Sequence, residues 1–238
     1  GDVEIKGVKY SEMPLQIIDT GYGLERFCWA AAGTPTIYEA IYPESVSWLK
    51  NKAGFSSEMF DLSQKQLDEL LGEMSRLFGI MNIEVGSDGD RMRDIFLSRL
   101  AERGHQIDAN LFTKITGQLS KIYAIPDHLH ALSNMLGDGL VPSNSKAGYL
   151  ARMIARRVLR MRDELGIEVS LTELAVHHLE SNYNENRMKQ TREGMLTILE
   201  GEEERYNEML RKGIQVVKTA IKDIPSNSEV IPDEILFT

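Results

Sequence analysis

Apolar residues recur at helical spacing over most of this chain, and at strand spacing only near its start. Val3, Ile5, Val8 and Tyr10 alternate about Gly7, and Pro14 to Ile18 is a short apolar run, so residues 1–18 are predicted to form strands. Phe27 to Ala32 predicts a helix with Gly33 as its stop. From Pro35 to Phe55 the pattern is mixed. Tyr38, Ile41 and Tyr42 read there as core, and Trp48 with Leu49 as a short amphipathic helix. Leu67, Leu70, Leu71, Met74, Leu77 and Phe78 keep the helical period within 57–79, with a break near Leu62 and Ser63 and an end at Gly79. Gly86 to Asp90 reads as a turn, Ile95 to Leu100 as part of a helix ending near Gly104, and Ala109 to Ala124 as a helix that stops at Pro126. Ser170 with Glu173 three residues on is a capping-box pattern for a helix through Leu171, Leu174, Val176 and Leu179. Residues 187–222 predict one long helix, bent near Gly194 and Gly201. The class implied is mostly α.

The densest chemistry lies between Asp127 and Arg162, as a short apolar helix, a turn-rich loop (Gly137, Asp138, Gly139, Pro142, Ser143, Asn144) and a second helix from about Ala147. At about 100° per residue, Leu150, Ile154, Val158, Met161 and Leu165 make one apolar stripe on that second helix. Arg152, Arg156 and Arg160 form a guanidinium ridge roughly opposite, with Arg157 between. Lys146 to Arg162 holds six basic residues and no acid. Like charges repel along a helix, so something anionic should offset them. Two offsets fit. One is a phosphate backbone, which guanidinium groups match bidentately; the other is a set of acids from elsewhere in the chain. Glu200, Glu202, Glu203 and Glu204 are such a set, readable as a solvated face or as partners for nearby bases.

Composition narrows the classes. A net charge of −9 excludes a protein basic all over but not a local nucleic-acid surface. The lone Cys28 permits no internal disulfide and fits a reducing compartment. No apolar run reaches the roughly 18 residues of a membrane span, so a cytoplasmic protein with no membrane partner is expected. The chain lacks an initiator methionine, which suggests an excised piece. His128 and His130 diverge by about 200° on a helix and cannot share a metal; His177 and His178 are no better placed. No metal site is expected.

Two stretches resemble a known family. Asp127-His128, Asp138-Gly139, Pro142-Ser143-Asn144, Gly148-Tyr149-Leu150 and Arg152, Arg156, Arg157 resemble, in order and spacing, the central tRNA-recognition region of alanyl-tRNA synthetases, in an archaeal-like form. Asp19-Thr-Gly-Tyr-Gly-Leu-Glu-Arg26 resembles motif 3 of class II synthetases in its alanyl version. One departure is Met153, where many members carry a second arginine.

The resemblance implies a helical, bundle-like recognition domain over 34–238, preceded over 1–33 by a strand-and-helix remnant of the aminoacylation core. It implies a piece of an alanine–tRNA ligase whose parent uses ATP with Mg to activate alanine and transfers it to tRNA. Asp19 would hold the alanine ammonium. Gly21 and Gly23 would admit the backbone beside amino acid and nucleotide. Arg26 would sit against the ATP phosphates, with Glu25 as its orienter or simply a helix-start acid. The expected tRNA-binding set is Asn144, reading a G·U pair of the tRNA(Ala) acceptor stem from the minor groove, with Arg152, Arg156, Arg157 and Arg160 on phosphates. Tyr149 is expected to pack and His128 to be a frame residue. Motifs 1 and 2 have no room before Asp19, so the chain alone is expected to be inactive and to bind no cofactor. The alternatives are a free-standing helical RNA-binding module and a protein-interaction module whose arginines meet acidic helices.

Overall fold

The computed structural model describes residues 3–11, 20–80, 89–182 and 192–222, and these are mostly helical, as the periodicity predicts. Two short strands, β1 (Val3–Ile5) and β2 (Val8–Tyr10), pair antiparallel with Val3 opposite Tyr10. Lys6 and Gly7 both take positive φ, 52° and 81°, as a two-residue hairpin turn between twisted strands requires. Pro14 to Ile18 lies outside the described residues.

Helix α1 (Leu24–Ala32) begins before the apolar run that signals it, and ends on Gly33 as expected. Thr36 and Glu39 form a reciprocal capping box on α2 (Ile37–Ile41), and Pro43 opens α3 (Pro43–Lys52), where its missing N–H costs nothing. A short 3-10 turn (Glu58–Phe60) precedes α4 (Gln64–Ile80), which passes through Gly79 instead of ending there. Gly89 and Asp90, expected in a turn, open α5 (Gly89–Glu102).

The largest correction is α6. It runs unbroken from Ala109 to Gly137 with Pro126 inside it. A proline here forfeits one ladder hydrogen bond and costs about 3 kcal/mol. Ile122, Ile125, Leu129 and Leu132 are all buried on the face that continues past it. At about 1.5–3 kcal/mol for each large side chain, their burial outweighs the break. Helices α7 (Lys146–Glu164), α8 (Leu171–Asn182) and α9 (Arg192–Lys222) complete the described elements.

Helix α6 is shared by two cores. Its first half packs Phe112, Ile115 and Leu119 against Phe60, Leu67, Leu70, Met74, Leu77, Phe96 and Leu100 of the 3-10 turn, α4 and α5. Its second half packs Ile122 to Leu136 against α3, α7, α8 and α9. Tyr42, Val46 and Leu49 join the second core, and Tyr38, Ile41 and Trp48 pack at its edge. Tyr38 stacks on Tyr123 with ring centroids 5.3 Å apart.

Helix α7 meets this core through a face rotated from the predicted one. Gly148, Ala151, Ala155, Val158, Leu159 and Arg162 are buried, whereas Leu150 is exposed and Ile154 and Met161 are only partly covered. The two alanines bring the α7 backbone close to α6. The arginine ridge therefore flanks the buried face instead of opposing it, and drifts outward along the helix.

Candidate functional site

The loop between α6 and α7 is built on two glycines. Gly139, at φ 85°, follows the C-cap Asp138, and the bonds Gly139 N–H to Leu136 O and Leu140 N–H to Met135 O (both 3.0 Å) close α6 in a Schellman arrangement. Gly148, in the first turn of α7, lets the loop fold back onto the helix start. A Cβ there would lie 2.6 Å from the Val141 carbonyl oxygen and closer still to Ser143 Oγ. The Ser143 N–H donates to Gly148 O at 3.0 Å and the Ser143 hydroxyl to Ser145 O at 3.0 Å. Pro142 is buried, and Asn144 stands exposed at the tip.

Arg152 ties this tip to α9. Its Nε and Nη2 donate to the two Glu202 oxygens at 3.1 and 2.9 Å, its Nη2 also to Pro142 O at 3.4 Å, and its Nη1 to Asn144 Oδ1. The Arg152 side chain is 14% exposed and that of Glu202 0%. Burial pushes the Glu202 carboxyl up, but the Arg152 and Arg205 guanidiniums outweigh it and hold the group below the usual carboxylate range. Arg162 is likewise buried, paired with Asp163 and Glu203, and donates to Val169 O at 3.1 Å. Of the two offsets that the sequence leaves open, acids from elsewhere in the chain serve Arg152 and Arg162. Glu202 and Glu203 are internal partners, while Glu200 and Glu204 are exposed.

The remaining cations differ. Arg156 reaches Met209 Sδ on α9 at 3.4 Å, and among the described residues no carboxylate pairs with it or with exposed Arg157. Arg160 stands 66% exposed, 3.7 Å from Glu164 one turn away, a surface pair worth at most about 1 kcal/mol. Tyr149, expected to pack, is 54% exposed in the first turn of α7. His128 is partly buried, with Nδ1 4.0 Å from Asp127. Burial lowers its pKa and nearby Arg157 adds to that, against the opposing Asp127 charge.

At the other candidate locus, Gly23 is the N-cap of α1 at φ 71°, and the Arg26 N–H donates to Gly23 O at 3.1 Å. Gly21 and Arg26 are exposed; among the described residues no carboxylate pairs with Arg26, and Asp19 lies outside them. A guanidinium at a glycine-opened helix start suits an anionic ligand. Among the described residues no group of three or more His, Cys, Asp or Glu side chains is placed to hold a metal ion, and no helix is long and apolar enough to cross a membrane.

Sequence reasoning singled out Asn144 and the arginines as candidates but missed the Arg152 clamp and the reason for Gly148. The signal for the clamp is the acidic run at 200–204 facing a basic run some fifty residues earlier.

Comparison with known proteins agrees with the motifs. The family model for "tRNA synthetases class II (A)" matches residues 3–238. Among similar curated proteins, the alanine–tRNA ligase of Methanosarcina mazei is 37% identical over 232 residues, 98% of this chain and 24% of that protein. The alanine–tRNA ligase of Methanothrix thermoacetophila is 41% identical over 217 residues, 91% of this chain and 23% of its own length. That of Natronomonas pharaonis is 38% identical over 238 residues, 99% of this chain and 24% of its own. The chain therefore spans about a quarter of the length of the relatives it matches.

Proposed function

The chain belongs to the class II (A) tRNA synthetase family, and from that premise we propose that it is the part of an alanine–tRNA ligase that grips the tRNA(Ala) acceptor stem and senses its G·U pair. One observation carries the reading. An exposed amide, Asn144, is held at a loop tip beside a helix whose Arg156 and Arg157 have no carboxylate partner among the described residues. An amide both donates and accepts, so it can test the guanine amino group that a wobble pair leaves open in the shallow RNA minor groove. Arg156, Arg157 and Arg160 set register on phosphates without reading sequence. Arg152, spent on Glu202, contributes through Asn144 instead of through a phosphate.

In the parent protein, residues 1–33 close the aminoacylation core and 34–238 form the recognition domain. ATP, when bound with Mg, would supply the adenylyl group that activates the alanine carboxylate, with pyrophosphate as the leaving group. Arg26 would lie against its phosphates and stabilise developing charge, Gly21 and Gly23 would admit the ligands, and Asp19 would hold the alanine ammonium. A cytoplasmic setting follows from this role.

The test is a titration of acceptor-stem hairpin RNA, with a G·U or a G·C pair, across a range of salt. Binding should weaken steeply with salt, and Arg156→Ala should reduce the log–log slope by about 0.7–0.9, one phosphate contact. Asn144→Ala should shrink the G·U over G·C ratio about fivefold, the worth of one hydrogen bond, while affinity for unrelated RNA stays the same. A ratio that survives this substitution removes Asn144 as reader. RNA binding indifferent to salt removes the reading altogether.

A further inference from the structure

We propose that Glu202 is a specificity-positioning residue: from the interior of α9 it sets the orientation of the Asn144 amide through Arg152. Glu202 is fully buried, and its two oxygens take both Nε and Nη2 of Arg152. A guanidinium is planar, so fixing two of its nitrogens against a carboxylate fixes the third. That third nitrogen, Nη1, donates to Asn144 Oδ1, while Nη2 also reaches the Pro142 carbonyl. The chain Glu202–Arg152–Asn144 leaves the amide one lone pair on Oδ1 and an NH₂ group with no hydrogen-bond partner among the described residues. An asparagine on a loop would otherwise turn freely and offer either end to a base edge. Arg205, 60% exposed, donates from Nη1 to Glu202 Oε1 at 2.7 Å, the oxygen that also takes Arg152 Nη2, and makes no hydrogen bond to the loop among the described residues.

A buried charge is costly unless paired, and Glu202 could have been apolar if α9 only had to pack. Its cost is offset by a ligand that reaches the tip of a loop on another helix pair. The effect on base discrimination rests on the acceptor-stem reading above; the ordering of Asn144 rests on geometry alone.

The experiment has two arms. The first is RNA-free: the side-chain amide resonances of ¹⁵N-labelled Asn144 are followed in the full chain. They should be dispersed in the unaltered chain, collapse towards random-coil positions in Glu202→Gln, and stay in place in Arg205→Ala. If Glu202→Gln fails to fold by circular dichroism, Arg152→Lys decides. It keeps a cation against Glu202 but removes the planar fork, and should release Asn144 in the same way. Unmoved Asn144 signals in a folded Glu202→Gln or Arg152→Lys chain would overturn the proposal. The second arm measures the G·U over G·C ratio. Glu202→Gln should lower it as far as Asn144→Ala does, about fivefold, and the double variant should be no worse than either alone. Additive losses would place Glu202 outside the Asn144 pathway and overturn its specificity role. An unaltered chain with ordered Asn144 but no pair preference would sink the acceptor-stem reading and leave the positioning intact.

Discussion

Gly148→Ala should destabilise the chain by about 1–3 kcal/mol and abolish whatever pair preference Asn144 provides. Taken as a helix residue alone, the substitution should help, since alanine is favoured over glycine inside a helix by about 1 kcal/mol. The local geometry reverses the sign. The new Cβ would stand 2.6 Å from Val141 O and 3.0 Å from Ser143 Cβ. The first of these is backbone, and Ser143 is fastened by its own bonds to Gly148 O and Ser145 O. Neither yields cheaply, so the loop must lift, at the cost typical of overpacking. Lifting it breaks the Ser143 N–H bond, uncovers Pro142 and carries Asn144 away from Arg152. Urea unfolding measures the first effect and the paired RNA titration the second. A variant as stable as the original chain, with its pair preference kept, would show that the loop yields freely and is not built around Gly148.

How much of this was legible in advance depends on the range of each interaction. Helix existence is local, and the periodic leucines of α4 and the Gly33 stop of α1 announced it. Where local and tertiary signals disagreed, burial won. Pro126 reads as a break, yet α6 continues through it because the residues beyond it complete a core. The register of α7 was misjudged for a related reason. Ala151 and Ala155 carry little hydrophobic weight, but they are small enough to let two backbones approach, and close approach decides which side faces inward. The candidate site was half legible. Asn144 and the ridge arginines are recognisable by motif. The commitment of Arg152 to Glu202 joins residues fifty apart in sequence, and opposite charges in two runs suggest a pairing without saying which members make it. The same limit hid the partner of Arg162, a basic residue that turned out to be core.

Acid should unfold this chain earlier than its carboxylates alone require, because of His178. The ring is fully buried in α8, edge-on to Tyr42 at 5.3 Å and to His130 at 5.9 Å, with Nδ1 3.4 Å from Ser45 Oγ. Burial first, then the neighbouring His130 and His177, drive its pKa down to about 3. In the unfolded chain a histidine titrates near ~6.5. Between these values the unfolded state binds a proton that the folded state refuses, so stability rises with pH through that window. The contribution is complete above about pH 6.5 and is lost as pH falls, by up to about 1.4 kcal/mol per unit. From pH 6.5 to 5 the loss should reach about 1–2 kcal/mol. His177 and His128 are also shifted down by burial and act in the same direction. Glu202 is held below the ordinary carboxylate value, so its loss begins at lower pH and is separable. His178→Leu keeps an apolar side chain in the pocket and removes the titration. It should be less stable at pH 7, because Ser45 and Asn182 lose a polar neighbour, yet its stability should fall less steeply between pH 6.5 and 5. Chemical denaturation at four pH values measures both slopes. Parallel slopes would mean that the ring is already protonated in the folded chain or that water reaches it, and the buried-neutral assignment would be wrong.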